Sequence, residues 1–516
     1  MTRFHTDRPT VPLWLIAAAF SIISFMAGCR RQPAVPASYT PCNEKPLMFP
    51  DYTDITCPWN IAPLNFQIMN PGQACVAEIR GSRSSLTASS GKDGKVRFDL
   101  RAWRSVLESH KGQTLTAYLY VEGKDGNWRR LKPYALHIAP EPIDSFLTYR
   151  LIEPGYVAFK SMGIYQRDLT SFQVRTLYEG EENHCVNCHN YQQNRTGRMM
   201  LHVRGDHAGT LIGERGKLRK IKPSATIPYG ATYPAWHPTH RWLVFSSNST
   251  HQSFHTNHPE KVEVQDLASD LIFYDMEKDH ISYILHTDSV LETFPHWSPD
   301  GRRLYYTAAR ADSMAGLSQE DREMYVLSHY RELRYDIMYM DFNPATQTFG
   351  MPRKLVSCAA QGKSASVVRI SPDGRYLLCT LADYGQFHIW HKNTDLYACD
   401  LQTAQPVLYP LDEANSKDAD SYHSWSSNGR WIAFSSRRDD GSYTRTYIAY
   451  FGKDGKARKA FMLPQEDPED NILRLKSYNV PELTCDPVPF SREEMEQAVN
   501  EMEAQEIKHV PSSVGY

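Results

Sequence analysis

No charge of one sign dominates this sequence. Its 57 Lys and Arg stand against 59 Asp and Glu, a formal net charge of −2 over 516 residues, so no field favours nucleic acid or draws the chain to an acidic surface. Cysteine is sparse, at 10, and its wide spacings exclude a dense disulfide framework. Only one Cys-x-x-Cys occurs, which withholds the second ligand pair of an ordinary zinc site. No Gly-x-Ser-x-Gly element occurs, which argues against an α/β-hydrolase. Aromatic and turn-forming residues are plentiful instead: 30 Tyr, 10 Trp, 28 Gly and 32 Pro. That mix suits a large β-rich protein with many tight turns, long enough for two domains or more.

The N-terminus reads as a targeting device. Arg3, His5 and Arg8 precede the apolar run Val11 to Met26, which ends in Ala27-Gly28-Cys29, the pattern of an export signal over residues 1–28. "FMAGC" resembles a bacterial lipobox, in which Cys29 becomes the lipidated first residue; a plain N-terminal anchor is the other reading. Residues 29–42 then form a Pro/Ser-rich tether. The expected place is the bacterial cell envelope, on the periplasmic side or the outer membrane. The expected partners are the membrane, through the lipid on Cys29, and an envelope protein or redox partner, with no nucleic acid. Cys379 and Cys399 lie in apolar strand patterns and read as buried thiols. Cys42, Cys57 and Cys75 offer one bridge at most.

Four segments repeat one another: "YPAWHPTHRWLVFSSN" from Tyr233, "FPHWSPDGRRLYYTAAR" from Phe294, "VVRISPDGRYLLCTLADYG" from Val367 and "YHSWSSNGRWIAFSSRRDDG" from Tyr422. Each has a short apolar strand, a polar turn and an alternating second strand, a hairpin signal written four times. A third strand and a further polar turn come after each one. Four-stranded units repeated at a period near or above ~40–45 residues indicate a β-propeller. Asp300, Asp373 and Asn428 are turn residues and not active-site candidates. Insertions lengthen two intervals, Ser249 to Gln265 and the helix-like Ala311 to Tyr330.

The Trp-Ser-Pro-Asp-Gly motif resembles the TolB-type propeller repeat over residues 146–485, which implies six blades. Four carry the motif. A fifth contains Cys185, and the sixth is split between "EPGYVAFKSMGIYQRDLTSFQVRTLY" and "NILRLKSYNVPEL" near the C-terminus. Ahead of the ring, residues 43–140 alternate with period 2 as "APLNFQIM", "ACVAEIRG", "KVRFDLRAW", "TLTAYLYVEG" and "PYALHIAP", a small β-sandwich of immunoglobulin-like kind. The fold class is all-β, a six-bladed TolB-like propeller behind that sandwich. Residues 486–516 read as an acidic helical pattern with a disordered end.

One stretch belongs to neither pattern: "NHCVNCHNYQQN", Asn183 to Asn194. Cys185, Cys188 and His189 spell Cys-x-x-Cys-His, by which haem c is held through two thioethers with the histidine on iron. Chance places the pattern somewhere in a chain of this composition with a probability of about 0.007. A thioredoxin-type redox motif needs a βαβ setting that is missing here. Zinc at His184, Cys185, Cys188 and His189 would strain adjacent ligands; His251, His255 and His258 could add to it, although they read more simply as a polar loop.

His202 is the leading sixth iron ligand and Met200 the second, both on one face of "RMMLHVRGDH"; Met199 reads as core, and His207 is within reach. Such a six-coordinate centre transfers electrons and does not activate oxygen. The motif takes the place of "PAWHP" at the end of a blade's inner strand. A longer turn across "NYQQNRTG" then covers the group at one mouth of the channel. Two functions are open to such a chain: a haem-c electron carrier or redox sensor, or a TolB-like protein-binding module without cofactor whose cysteine pair is structural.

Overall fold

A computed structural model describes residues 33–153, 162–180, 184–258 and 260–511. Cys29 and the signal segment lie outside the described residues, as does part of the first outer hairpin of the ring. Six four-stranded units form a closed ring. Blade 1 joins the outer strands Phe146–Ile152, Met162–Asp168 and Val174–Gly180 to an inner strand from the far end of the chain, Ser477–Thr484. The inner strands of blades 2 to 6 are His184–Gln192, Thr232–Trp236, Val290–Trp297, Ser364–Ile370 and Asp420–Trp425. Each inner strand neighbours the next, and the sixth returns to the first. Joining the two ends of the chain in one blade leaves no open sheet edge between them.

Blades 2 and 3 are additionally fused. Helix Arg492–Asn500 opens with a capping box at Ser491 and Glu494. The chain beyond it forms a strand, Gln505–His509, in place of the disordered end expected from composition. This strand pairs in parallel with Lys217–Pro223 of blade 2 and His280–Leu285 of blade 3, so that nine strands form one sheet. Its Ile507 is buried in the core between the two blades. Ending the chain after Asn500 removes that anchor and both ladders. The expected loss in a denaturant titration is ~2 kcal/mol or more, the usual cost of emptying one buried aliphatic site.

The N-terminal region is a seven-stranded sheet facing a three-stranded one. "KVRFDLRAW" is the exception to its strand pattern. Only Lys95–Val96 is strand, and Leu100–Ser109 is an α-helix. Asp99 decides this: its carboxylate accepts from the amides of Arg101 (3.1 Å) and Ala102 (2.9 Å), while Trp103, Val106 and Leu107 bury at helical spacing. Asp99→Ala should lower stability by about 1 kcal/mol, the ordinary cost of a lost N-cap, measured by thermal unfolding. The core of this region runs on into the ring. Trp103, Cys57 and Cys75 share one cluster with Trp431, Ile448 and Phe461 of blade 6 and Tyr478 of blade 1. Cys42, Cys57 and Cys75 are all free thiols, so the bridge allowed for among them is not formed. The insertion in blade 4 carries the helix Gln319–His329.

Candidate functional site

Every inner strand is interrupted at the same level. The pairing register slips between Asn187 and Asn190, Thr232 and Ala235, Thr293 and His296, Ser366 and Arg369, Ser421 and Ser424, and in blade 1 opposite Thr148 and Arg150. Each bulge opens on a residue at positive φ: Cys188 (55°), Tyr233 (45°), Phe294 (51°), Val367 (51°), Tyr422 (47°) and Val480 (48°). Such a backbone costs on the order of 1–3 kcal/mol per residue and persists only where the surroundings enforce it. Here the surroundings are the ring axis. Five of the six side chains, from five different blades, pack together in one cluster. Cys188 is the sixth, the one thiol in a ring otherwise aromatic or β-branched.

The second bulge residue faces the other way. Blades 3, 4, 5 and 1 place Pro234, Pro295, Val368 and Pro481 there, and blade 6 places His423. His189 is fully buried on the side of blade 1, beside Tyr191 at 6.4 Å between ring centres. The backbones of Thr148 and Val480 are close by, but neither ring nitrogen has a partner within hydrogen-bond geometry. Burial depresses its pKa to about 4, so the ring is neutral. His423 is in the same condition, with both nitrogens unpartnered and a pKa pressed by burial to about 3. The unbonded imidazole therefore belongs to the bulge position, and the thiols are what set blade 2 apart.

The bulge also corrects the sixth-ligand assignment. Asn187 stands opposite His202 and Asn190 opposite Met200, so these four side chains share the face toward blade 3. Met200 is buried there with Trp236 and Leu243, and His202 Nδ1 lies 3.1 Å from the Thr210 hydroxyl. Val186, Tyr191, Met199 and Leu201 occupy the opposite face, in the core shared with blade 1. His189 is on that second face. Uninterrupted alternation would have kept residue 189 in phase with residues 185 and 187, and hence with His202; one inserted residue reverses the phase. The sheet thus separates His189 from both His202 and Met200, and neither joins it at a common centre. His207 lies beyond the strand, partly exposed.

The motif also sits earlier in its strand than the match to "PAWHP" placed it. Asn187-Cys188-His189-Asn190-Tyr191 corresponds to Thr232-Tyr233-Pro234-Ala235-Trp236, and not to the segment ending in Pro238. Tyr191 pairs with Met199 as Trp297 pairs with Leu304 in blade 4, so the connection that comes next is no long cover. The strand runs on to Gln192, and Gln193 and Asn194, both at positive φ, close a two-residue turn. The side chain of Asn194 ties this turn to the carbonyls of Trp425 (2.9 Å) and Leu483 (2.8 Å).

Cys185 and Cys188 are both free thiols near the ring axis, and burial raises the pKa of the Cys188 thiol. Among the described residues, no group of three or more His, Cys, Asp or Glu is placed to hold a metal ion. His251 and His258 are engaged instead with Glu323 and Glu260, each at 2.8 Å. The donor set fits a covalently attached haem in its chemistry, with two unpaired thiols for the thioethers and a neutral imidazole free of hydrogen bonds. Ligation by His189 calls for its ring to leave the blade interface.

No family model and no curated protein matches the sequence. Among solved structures, the chain is similar to TolB from Acinetobacter baumannii, with a TM-score of 0.41 and 12% identity over 75% of this chain and 85% of that one. It is similar also to the β-propeller domain of the Trilobed protease from Pyrococcus furiosus, at 0.33 and 11% over 69% and 96%. A third likeness is to prolyl oligopeptidase B from Galerina marginata, at 0.33 and 8% over 67% and 42%.

Proposed function

We propose that this chain is a bacterial envelope protein that carries haem c on its propeller and serves in electron transfer or redox sensing. Cys185 and Cys188 would hold the group through thioethers, and His189 would ligate its iron. A lipid on Cys29 would fix the chain to the membrane, facing a redox partner. Bound haem supplies a one-electron centre; the chain supplies attachment, orientation and a partly closed environment. The supporting observation is that blade 2 alone puts a thiol into the axial ring, with a second free thiol three residues earlier in the same strand. Protein produced with haem-attachment machinery should keep its haem on a denaturing gel and show a Soret band. Lack of both would sink the reading.

The second reading, a protein-binding module without cofactor, is favoured by one specific observation. His423 repeats the burial and the unbonded nitrogens of His189 in a blade that has no thiols. That reading survives if the gel and the spectrum are blank.

A further inference from the structure

Two guanidinium groups lie beside the thiols, and no acid among the described residues pairs with either of them. Arg204 stands opposite Cys185 in the strand register, within Coulombic reach of Cys185, Cys188, Tyr233 and Tyr422. Arg150 reaches Cys188 and Tyr422 as well. It is buried, and it donates Nη1 to the Val186 carbonyl (3.1 Å) and Nη2 to Asn479 Oδ1 (3.1 Å). Both acceptors are neutral, and its Nε has no partner. Arg204 is exposed and makes no hydrogen bond or ion pair with any described residue.

Its counterpart in blade 6 shows that this is not forced by the position. Arg437 donates Nε to the Ile389 carbonyl (2.7 Å) and Nη1 to the Ser442 carbonyl (2.5 Å), and lies over the Trp390 ring. The acid beside Tyr233, Asp266, is already tied to Asn248 (3.0 Å) and Tyr335 (2.8 Å). The planar fork of an arginine with its donors unspent matches a carboxylate, which it can bind through two parallel hydrogen bonds.

We infer that Arg204, backed by Arg150, forms a carboxylate-binding site beside the thiols. The carboxylate has two chemical sources. One is a propionate of haem held at Cys185 and Cys188, which rests on the function proposed above. The other is a free organic acid, which does not.

The test uses full-length protein made without haem attachment, as wild type, Arg204→Gln and Arg204→Lys. Each is titrated with hemin and with hemin dimethyl ester, followed by the Soret band, and with succinate by calorimetry. Wild type should bind hemin about tenfold tighter than the diester, the scale of one charge-assisted bidentate contact. Arg204→Gln should erase that ratio, and Arg204→Lys should keep part of it. Succinate binding lost in Arg204→Gln, with hemin and diester bound alike, assigns the site to a free acid. If Arg204→Gln changes neither the hemin-to-diester ratio nor succinate binding, or if wild type binds none of the three, the inference is overturned. Haem staining of protein made with attachment machinery reports on the proposed function alone. A blank stain beside an intact Arg204 effect would leave the anion site standing and remove the electron carrier.

Discussion

Changing both Cys185 and Cys188 to Ser should abolish covalent haem staining in protein made where attachment is competent, and changing either one should weaken it. Each thioether consumes one of these thiols, and no other described cysteine lies in the axial ring or in the strand that leads to it. His189→Ala should leave the attached haem in place and displace the visible bands, because the axial ligand sets the iron's electronic state. His423→Ala is the matched control. Its ring is as buried and as free of hydrogen bonds as that of His189, so any effect of general repacking should appear equally in both. Displacement of the bands by His189→Ala alone ties this histidine to iron. Equal spectra in the two variants would remove His189 from the ligand set. All of these variants should fold, since the blade cores are built from repeat residues such as Leu243, Leu304, Leu377 and Ile432, and not from the motif.

The ring was legible because its signal is written repeatedly and locally. Three Asp-Gly or Asn-Gly turns each mark one hairpin, a fourth segment repeats the pattern around Thr239-His240, and four such hairpins in succession imply that their faces bury against one another. The split blade was legible for the same reason, since "SYNVPEL" repeats the inner-strand pattern without its partner strands. The site was legible only in its residue types. A β-bulge leaves no composition signal that distinguishes Cys188 from an ordinary strand residue, yet it decides which face His189 occupies. The clue was available by comparison: Pro234, Pro295 and Pro481 fall at the position of His189, and a proline inside a strand marks a bulge or an edge. Carried across to blade 2, these prolines would have separated His189 from His202. The helix at Leu100–Ser109 was missed because "KVRFDL" alternates well, while the cap at Asp99 acts only on the residues C-terminal to it.

As the pH falls from 6.5 toward 3 the ring should lose stability, and its buried histidines are one cause. His296, His388 and His423 are all buried or nearly so, and burial lowers the pKa of each to about 3 from an ordinary 6.5. A histidine held neutral in the fold and free to charge in the unfolded chain adds stability that is complete above the unfolded pKa. That stability falls as the pH drops from 6.5 toward 3, by up to ~1.4 kcal/mol per pH unit for each group. Two carboxylates act in the opposite sense, Asp266 buried and Asp395 half-buried. Asp266 and Asp395 are raised to about 6, chiefly by burial; they add stability at low pH and lose it as pH rises through 6. Between pH 6 and 4 the two carboxylates offset only part of the loss from the three histidines, so the melting temperature should already fall there. Below 4 the histidines are joined by carboxylates such as Asp93 and Asp400, which Arg97 and Arg375 hold below the usual carboxylate range and which lose stabilising charge as the pH falls further. His423→Val tests the cause directly, because Val368 fills the same position in blade 5 and shows that an apolar side chain fits the bulge. The variant should melt higher than wild type at pH 3.5 and close to it at pH 7.5. An equal shift at both values would mean that the substitution acts through packing and that the titration of His423 contributes nothing.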